Sequence, residues 1–350
     1  MMYALLAGVL TAFLASWGLV LTQRWHGRFT LDRGEGVQKF HTRPTPRVGG
    51  LSVMAGLLAV QWQAPADWKP VLGPMLLAAL PAFVFGVAED LSKKIGPGVR
   101  LLATLSSGAL ASVLTGTALA HTGLPWLDSA LQAWWPLAVA FTAFAVGGVA
   151  NAVNIVDGFN GLASGIVIIC LCALGAIALQ VGDGKLAGVL FTTAAVVLGF
   201  LAVNFPLGKI FLGDGGAYVL GFWLAWLAVL LIERNAEVSA VAVLLACAYP
   251  VMEVAFSVAR RIRRAHPAMR PDRLHLHSLV KCRLVRKRLG HWPLVMQNAS
   301  VSPFVWLIAC APAGLGAWFW NAPAAAWAGL FGSALAYALI YRRLALFGWR

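Results

Sequence analysis

Apolar runs of about 20 residues, separated by short polar stretches, set the pattern along this chain. A run of that length is what an α-helix needs to cross the hydrocarbon core of a bilayer. Eleven spans are predicted, at about 3–22, 47–63, 71–88, 100–119, 136–154, 161–181, 185–203, 215–232, 238–258, 302–320 and 324–342. The second is short, and the pair flanking Gly182–Gly184 could be one re-entrant feature. No basic residue precedes the first run, so it is read as a retained helix and not as a cleaved leader. The expected fold is an all-α polytopic membrane protein in which one bundle, residues 1–350, forms a single domain. A long basic loop, 259–300, lies within it.

Composition agrees with the pattern. Of 350 residues, 60% are hydrophobic and 11% charged, where a soluble domain has roughly a quarter charged. Net charge is +14, from 27 Lys+Arg against 13 Asp+Glu. All the basic residues except Lys69, Lys185 and Arg234 follow the odd-numbered spans or close the chain. That asymmetry predicts a cytoplasmic C-terminus, an external N-terminus and cytoplasmic odd connections. The basic rim suits anionic lipids or an anionic substrate. Nucleic-acid binding is not expected, because no recognised motif or aromatic-interleaved basic module is present. The five cysteines form no CxxC pair and read as small apolar fillers. Gly/Ala-rich spans would permit a homodimer through helix faces.

The unusual polar stretches all fall on the predicted cytoplasmic side. Asn151–Gly165 reads NAVNIVDGFNGLASG. Its Asn151, Asn154, Asp157 and Asn160 recur every three residues, so on a helix neighbouring rungs share a face. Three amides and a carboxylate at a membrane edge are unfavourable unless they bind something. HTRPTPRVGG, residues 41–50, offers Arg43 and Arg47 as phosphate clamps, or as snorkelling arginines at a Pro/Gly helix start. Glu89-Asp90-Leu91-Ser92-Lys93-Lys94 closes the third span. Its adjacent carboxylates favour a cation or a shared proton, and otherwise make a solvated helix end opposed to the macrodipole. Asp214 in NFPLGKIFLGDGG is a metal-ligand candidate or part of an ordinary Asp-Gly turn. In MRPDRLHLHSL, His275 and His277 point the same way if extended. With Arg273 they suit an anionic ligand better than zinc, for which no further partner is near. Four carboxylates, an Asn ladder and a basic rim on one face suit magnesium, a diphosphate and phosphoryl transfer.

In this order the motifs resemble the polyprenyl-phosphate N-acetylhexosamine-1-phosphate transferases, the MraY/WecA family of glycosyltransferase 4 type. The resemblance rests on HTRPTPRVGG, the Glu89-Asp90 pair, NAVNIVDGFNGL, FLGDGG and PDRLHLH, from about Thr42 to Leu279. It implies a bundle of ten or eleven helices with a cytoplasmic site, in a bacterial inner membrane. It implies transfer of a sugar-1-phosphate from a UDP-N-acetylhexosamine to undecaprenyl phosphate, with release of UMP and use of Mg2+ or Mn2+. Carried over by position, Glu89, Asp90 and Asp157 become catalytic candidates. Asp214, Asp157 and Asn154 become metal ligands. Arg43, Arg47, Lys93, Asn151, Asn154, Asn160, Arg273, His275 and His277 become substrate-binding residues. The family usually shows Asp where this chain has Glu89, and often a second Asp where it has Asn160. The absence of a three-histidine run favours the WecA-like branch, which starts O-antigen and related surface polysaccharides, over the phospho-N-acetylmuramoyl-pentapeptide transferases. A transporter or flippase for a polyprenyl-linked anion is the competing expectation. It requires charge deep within spans, where only Glu253 qualifies.

Overall fold

In lipid, an apolar run can satisfy its own backbone only as a helix or within a closed barrel, and the chain takes the first course. A computed structural model describes residues 1–32, 44–263 and 274–346. The helices are α1 (Met2–Leu21), α2 (Gln23–Thr30), α3 (Gly49–Gln63), α4 (Lys69–Ser92), α5 (Pro97–Thr115), α6 (Pro125–Ala133), α7 (Trp135–Val156) and α8 (Leu162–Gln180). They continue as α9 (Gly184–Asn204), α10 (Gly213–Arg234), α11 (Ala240–Ala246), α12 (Ala248–Arg263), α13 (Leu276–Leu279), α14 (Arg286–Arg288), α15 (Leu294–Trp318) and α16 (Pro323–Ala345). A π-helical turn, Val280–Val285, joins α13 to α14.

Among the described residues, nine helices are long and apolar enough to cross a membrane, or ten if α11 and α12 form one broken span. The expectation of eleven differs at two places. The second predicted span is α3, whose 15 residues reach about 22 Å at the helical rise, short of a hydrocarbon core of about 30 Å. The ninth is broken, with an 82° bend between α11 and α12. The stretch around Gly182–Gly184 is a tight turn between two full-length helices, α8 and α9. Asp183 caps α9 by accepting from the Leu186 amide at 3.0 Å, and it pairs with Arg234 Nε at 2.8 Å.

α10 is the axis. Its apolar residues run all round the helix, so it must be covered all round. It packs on α3, α4, α5, α7 and α8, and Phe222, Trp223 and Trp226 are wholly enclosed. α1 and α16 lie at the edge of the bundle, with most of their surface open.

Small residues let two neighbours reach the first turn of α10. A Cβ on Gly50 of α3 would stand 2.3 Å from the Gly216 amide nitrogen. A Cβ on Gly86 of α4 would stand 2.5 Å from the Gly215 Cα. Backbone therefore lies against backbone at both crossings. This contact carries the last turn of α4, with Asp90, against the turn that bears Asp214.

Gly86→Ala has nowhere to place its methyl and is expected to lower stability by about 1–3 kcal/mol through overpacking. Gly148→Ala, at a helical position with nothing within 4 Å, should leave it unchanged. Thermal midpoints of the two purified variants in one detergent check the difference.

Candidate active site

The site begins with a chain segment that lies beside the start of α10. Leu31–Asp32 (β1) pairs antiparallel with Thr45–Pro46 (β2). The zipper continues onto the loop before α10. Phe211 N–H donates to Pro46 O at 2.8 Å, Gly49 N–H to Phe211 O at 2.9 Å, and Gly50 N–H to Leu212 O at 2.9 Å. Arg47 sits inside this zipper, its amide held by Thr30 O at 2.9 Å. Its guanidinium is thereby delivered to the α10 terminus.

Asp90 closes the same terminus from α4. Its Oδ1 accepts from the Asp214 amide at 2.8 Å and its Oδ2 from the Gly215 amide at 2.9 Å. These amides have no partner within the first turn of a helix, and a carboxylate there also meets the positive end of the macrodipole. Gly213, at φ 75°, makes room: a Cβ there would lie 2.5 Å from Asp90 Oδ2. Arg47 Nε lies 3.4 Å from Asp90 Oδ1.

Asp214 is the centre of the cluster. Arg47 pairs with its Oδ1 and Arg100, from the first turn of α5, with its Oδ2. Asn154 Nδ2 donates to Oδ1 at 3.1 Å. The carboxylate is buried, so these partners replace the water it gives up. Burial opposes the charge of Arg47, yet Asp214, Asp90 and Asp157 outweigh that and hold its guanidinium above the ordinary value. Asp157 follows the end of α7. Burial, with a further push from Asp214 and against the pull of Arg47, raises its carboxyl to about 7.

The Asn ladder divides. α7 stops at Val156, so only Asn151 and Asn154 share a helix. Asn151 Nδ2 bonds Thr104 Oγ1 of α5 at 2.8 Å. Asn160 Nδ2 donates to Pro206 O at 3.0 Å, and the next amide, Gly161 N–H, donates to Asn204 Oδ1 at 2.5 Å. Asn151 and Asn160 thus hold helix and loop together, apart from the carboxylates, while Asn154 and Asp157 stay with Asp214. Glu89 also turns away, its Oε2 accepting from the Ile95 amide at 2.7 Å. Lys93 is exposed and ends α4 in a left-handed conformation, φ 56°. Arg43 and Arg273 lie outside the described residues.

The two histidines do point the same way: the His275 and His277 rings stack at 5.3 Å with an interplanar angle of 8°. His277 meets the Asp157 turn. Its Nε2 would stand 3.0 Å from a Cβ at Gly158, and its ring is edge-on to Phe159 at 5.7 Å. Arg100 and Glu253 are the residues that motif reading passes over. Arg100 looks like one more topology-setting charge at the start of a span. Glu253 carries a signal, as the one acid expected within an apolar run.

No three His, Cys, Asp or Glu side chains among the described residues gather as a closed metal site. Magnesium does not ask for one, since it usually takes one or two carboxylates and completes its shell with water and phosphate oxygens. Asp214, the Asn154 amide beside it and Asp157 offer hard oxygen donors of that kind, with Arg47 and Arg100 paired to Asp214.

Comparison with known proteins places this arrangement. The family model described as glycosyl transferase family 4 matches residues 72–232, a stretch that includes Asp90, Arg100, Asp157 and Asp214. A probable undecaprenyl-phosphate N-acetylglucosaminyl 1-phosphate transferase of Bacillus subtilis (strain 168) is 28% identical over 73% of this chain and 69% of its own length. The undecaprenyl-phosphate alpha-N-acetylglucosaminyl 1-phosphate transferase of Yersinia pestis is 31% identical over 69% of this chain and 67% of its own. A phospho-N-acetylmuramoyl-pentapeptide-transferase of Synechococcus sp. (strain JA-3-3Ab) is 34% identical over 63% and 66%. With the helical bundle, the Asp214 cluster and these relatives together, the chain belongs to glycosyl transferase family 4, the polyprenyl-phosphate sugar-1-phosphate transferases.

Proposed function

We propose that this chain transfers N-acetylhexosamine-1-phosphate from a UDP-sugar to undecaprenyl phosphate. UMP leaves, and the product is an undecaprenyl-diphosphate-sugar, the first lipid-linked intermediate of O-antigen or another surface polysaccharide. The observation that carries the reading is the Asp214 carboxylate, buried at the head of α10 between Arg47 and Arg100. The names of the relatives from B. subtilis and Y. pestis point to the same acceptor lipid and to N-acetylglucosamine as the sugar. The basic asymmetry of the loops supports a site on the cytoplasmic face of a bacterial inner membrane, with the N-terminus outside.

In the reaction, an oxygen of the lipid phosphate forms a bond to the β-phosphorus of the UDP-sugar. The bond from that phosphorus to the UMP oxygen breaks. Asp214, with the Asn154 amide beside it, would hold Mg2+ or Mn2+, which supplies charge neutralisation on the diphosphate and the leaving UMP, and leaves Asp157 for the proton. Arg47 presents its remaining N–H groups to phosphate oxygens, while Arg100 holds Asp214 Oδ2 in place. Asp90 has both oxygens on backbone amides, so its part is to hold α10 and thereby aim Asp214. The proton of the lipid phosphate then falls to Asp157, whose carboxyl near 7 can take it up or return it close to neutrality. His275 and His277 line the side of the Asp157 turn and suit the sugar nucleotide.

Purified protein is expected to release UMP from UDP-N-acetylglucosamine only when undecaprenyl phosphate and magnesium are both added. Absence of release across a panel of UDP-sugars would overturn the reading. Asp214→Asn should lower turnover on the order of 10²–10³-fold, as loss of a preorganised charge does. A near-normal rate would remove Asp214 from the centre. Asp157 also marks stability. Its folded carboxyl stays protonated to about 7, whereas an unfolded one ionises near 3.9. The folded state therefore loses stability as pH rises through that window, and the loss is complete above about 7. Thermal midpoints from pH 4 to 8 should fall more steeply for the unaltered protein than for Asp157→Asn.

A further inference from the structure

Glu253 is almost completely enclosed, 1% exposed, in α12 below the bend of the broken span. A buried carboxylate is strongly unfavourable unless hydrogen bonds meet it, and here four donors converge. Tyr249, one turn earlier on α12, donates its hydroxyl to Oε2 at 3.2 Å. Tyr337 of α16 donates to the same oxygen at 2.9 Å. Oε1 accepts the Leu276 amide at 3.0 Å and faces His275 Nδ1 at 3.0 Å. An ionised carboxylate can only accept, so His275 carries its hydrogen on Nδ1. Two turns further along α12, Arg260 donates to Leu274 O at 2.8 Å and to the Tyr341 hydroxyl at 2.7 Å. The segment that begins at Leu274 is thus tied to α12 on both sides of His275, and α12 in turn to α16.

From Glu253 the contacts run to the site without a gap. His275 lies flat on His277, and His277 abuts Gly158 and Phe159, the two residues after Asp157. The charge that a transport pathway would need at this depth is instead committed to hydrogen bonds. None of Glu253, Tyr249 and Tyr337 has a part in the transfer as written above.

We propose that Glu253 is a positioning residue: it fixes the tautomer and tilt of His275, and through the stacked pair sets His277 against the Asp157 turn. Its effect on turnover rests on the transferase reading above, while its effect on the loop does not. It touches no substrate and acts only through the histidines. Glu253→Gln keeps the shape and removes the charge that dictates the tautomer. Partners that orient metal-ligating histidines are worth about 10–100-fold, and a loss of about that size is expected here in kcat/KM.

The test joins kinetics to hydrogen exchange on the full-length protein in detergent. Glu253→Gln, His275→Gln and the double variant are assayed for UMP release, and exchange at the Leu276 amide is followed by mass spectrometry. The proposal expects losses that do not multiply in the double variant. It also expects faster exchange confined to the segment after Leu274, an unchanged thermal midpoint, and turnover in Glu253→Asp above that of Glu253→Gln. Losses that multiply would overturn it. So would a lowered midpoint with exchange spread over α12 and α16, which marks plain structural glue. Should Glu253→Gln fail to fold, Tyr337→Phe removes a single donor and is expected to give a smaller loss in the same direction. Unchanged turnover and unchanged Leu276 exchange in Tyr337→Phe would then count against the proposal. If the unaltered protein releases no UMP, the transferase reading falls. In that case local exchange in Glu253→Gln still decides the positioning, and exchange equal to the unaltered protein overturns it.

Discussion

One carboxylate at the head of the central helix organises this molecule. Asp214 stands in the first turn of α10, buried, between two guanidinium groups and an amide. That position is tenable only because Asp90 occupies the α10 amides from another helix and Arg47 lies between the two acids. Removing one partner of such a buried group typically costs about 3–5 kcal/mol. The glycines at 50, 86 and 213 are consequences of the same constraint. Each stands where a Cβ would push α3, α4 or Asp90 away from the α10 terminus.

Around that point the chain brings together segments far apart in sequence. The zipper at 46–50 supplies Arg47, α5 supplies Arg100, and the end of α7 supplies Asn154 and Asp157. The family match, residues 72–232, spans most of this set. Arg47 and the two histidines lie outside it, on opposite sides. Arg47 reaches Asp90 and Asp214, and His277 reaches the Asp157 turn because α12 holds the histidine segment through Glu253. The site is a junction of two supports. One is built on α10, and the other on α12 and α16.

Much of this was legible in the sequence. Apolar length gave the helical class, since in lipid no other open structure satisfies the backbone. It marked α3 as short, and α3 falls short of the hydrocarbon thickness, but it could not foresee the α11–α12 bend. The motifs named Asp157, Asp214, Asn154 and Arg47, all of which meet. What the sequence does not show is which contacts each side chain makes. Asp90 reads as an acid for a cation or a proton, because a side chain bonded to an amide 124 residues away leaves no periodic trace. Asn160 leaves the ladder because α7 ends at Val156, and Asn151 leaves it because its amide turns to Thr104 of α5. Arg100 was hidden among charges that also set topology. Glu253 was visible as an anomaly of polarity, but its meaning needed its four partners.

Asp90 and Arg100 both hold Asp214, and under the transferase reading both would act on turnover through it. They approach it from different helices, one through the backbone amides and the other through the carboxylate. A double-mutant cycle in kcat/KM between Asp90→Asn and Arg100→Gln tests this most directly. Each single change is expected to lower turnover, and the double variant to fall well short of the product of the two losses. Losses that simply multiply, with folded protein intact, would contradict it.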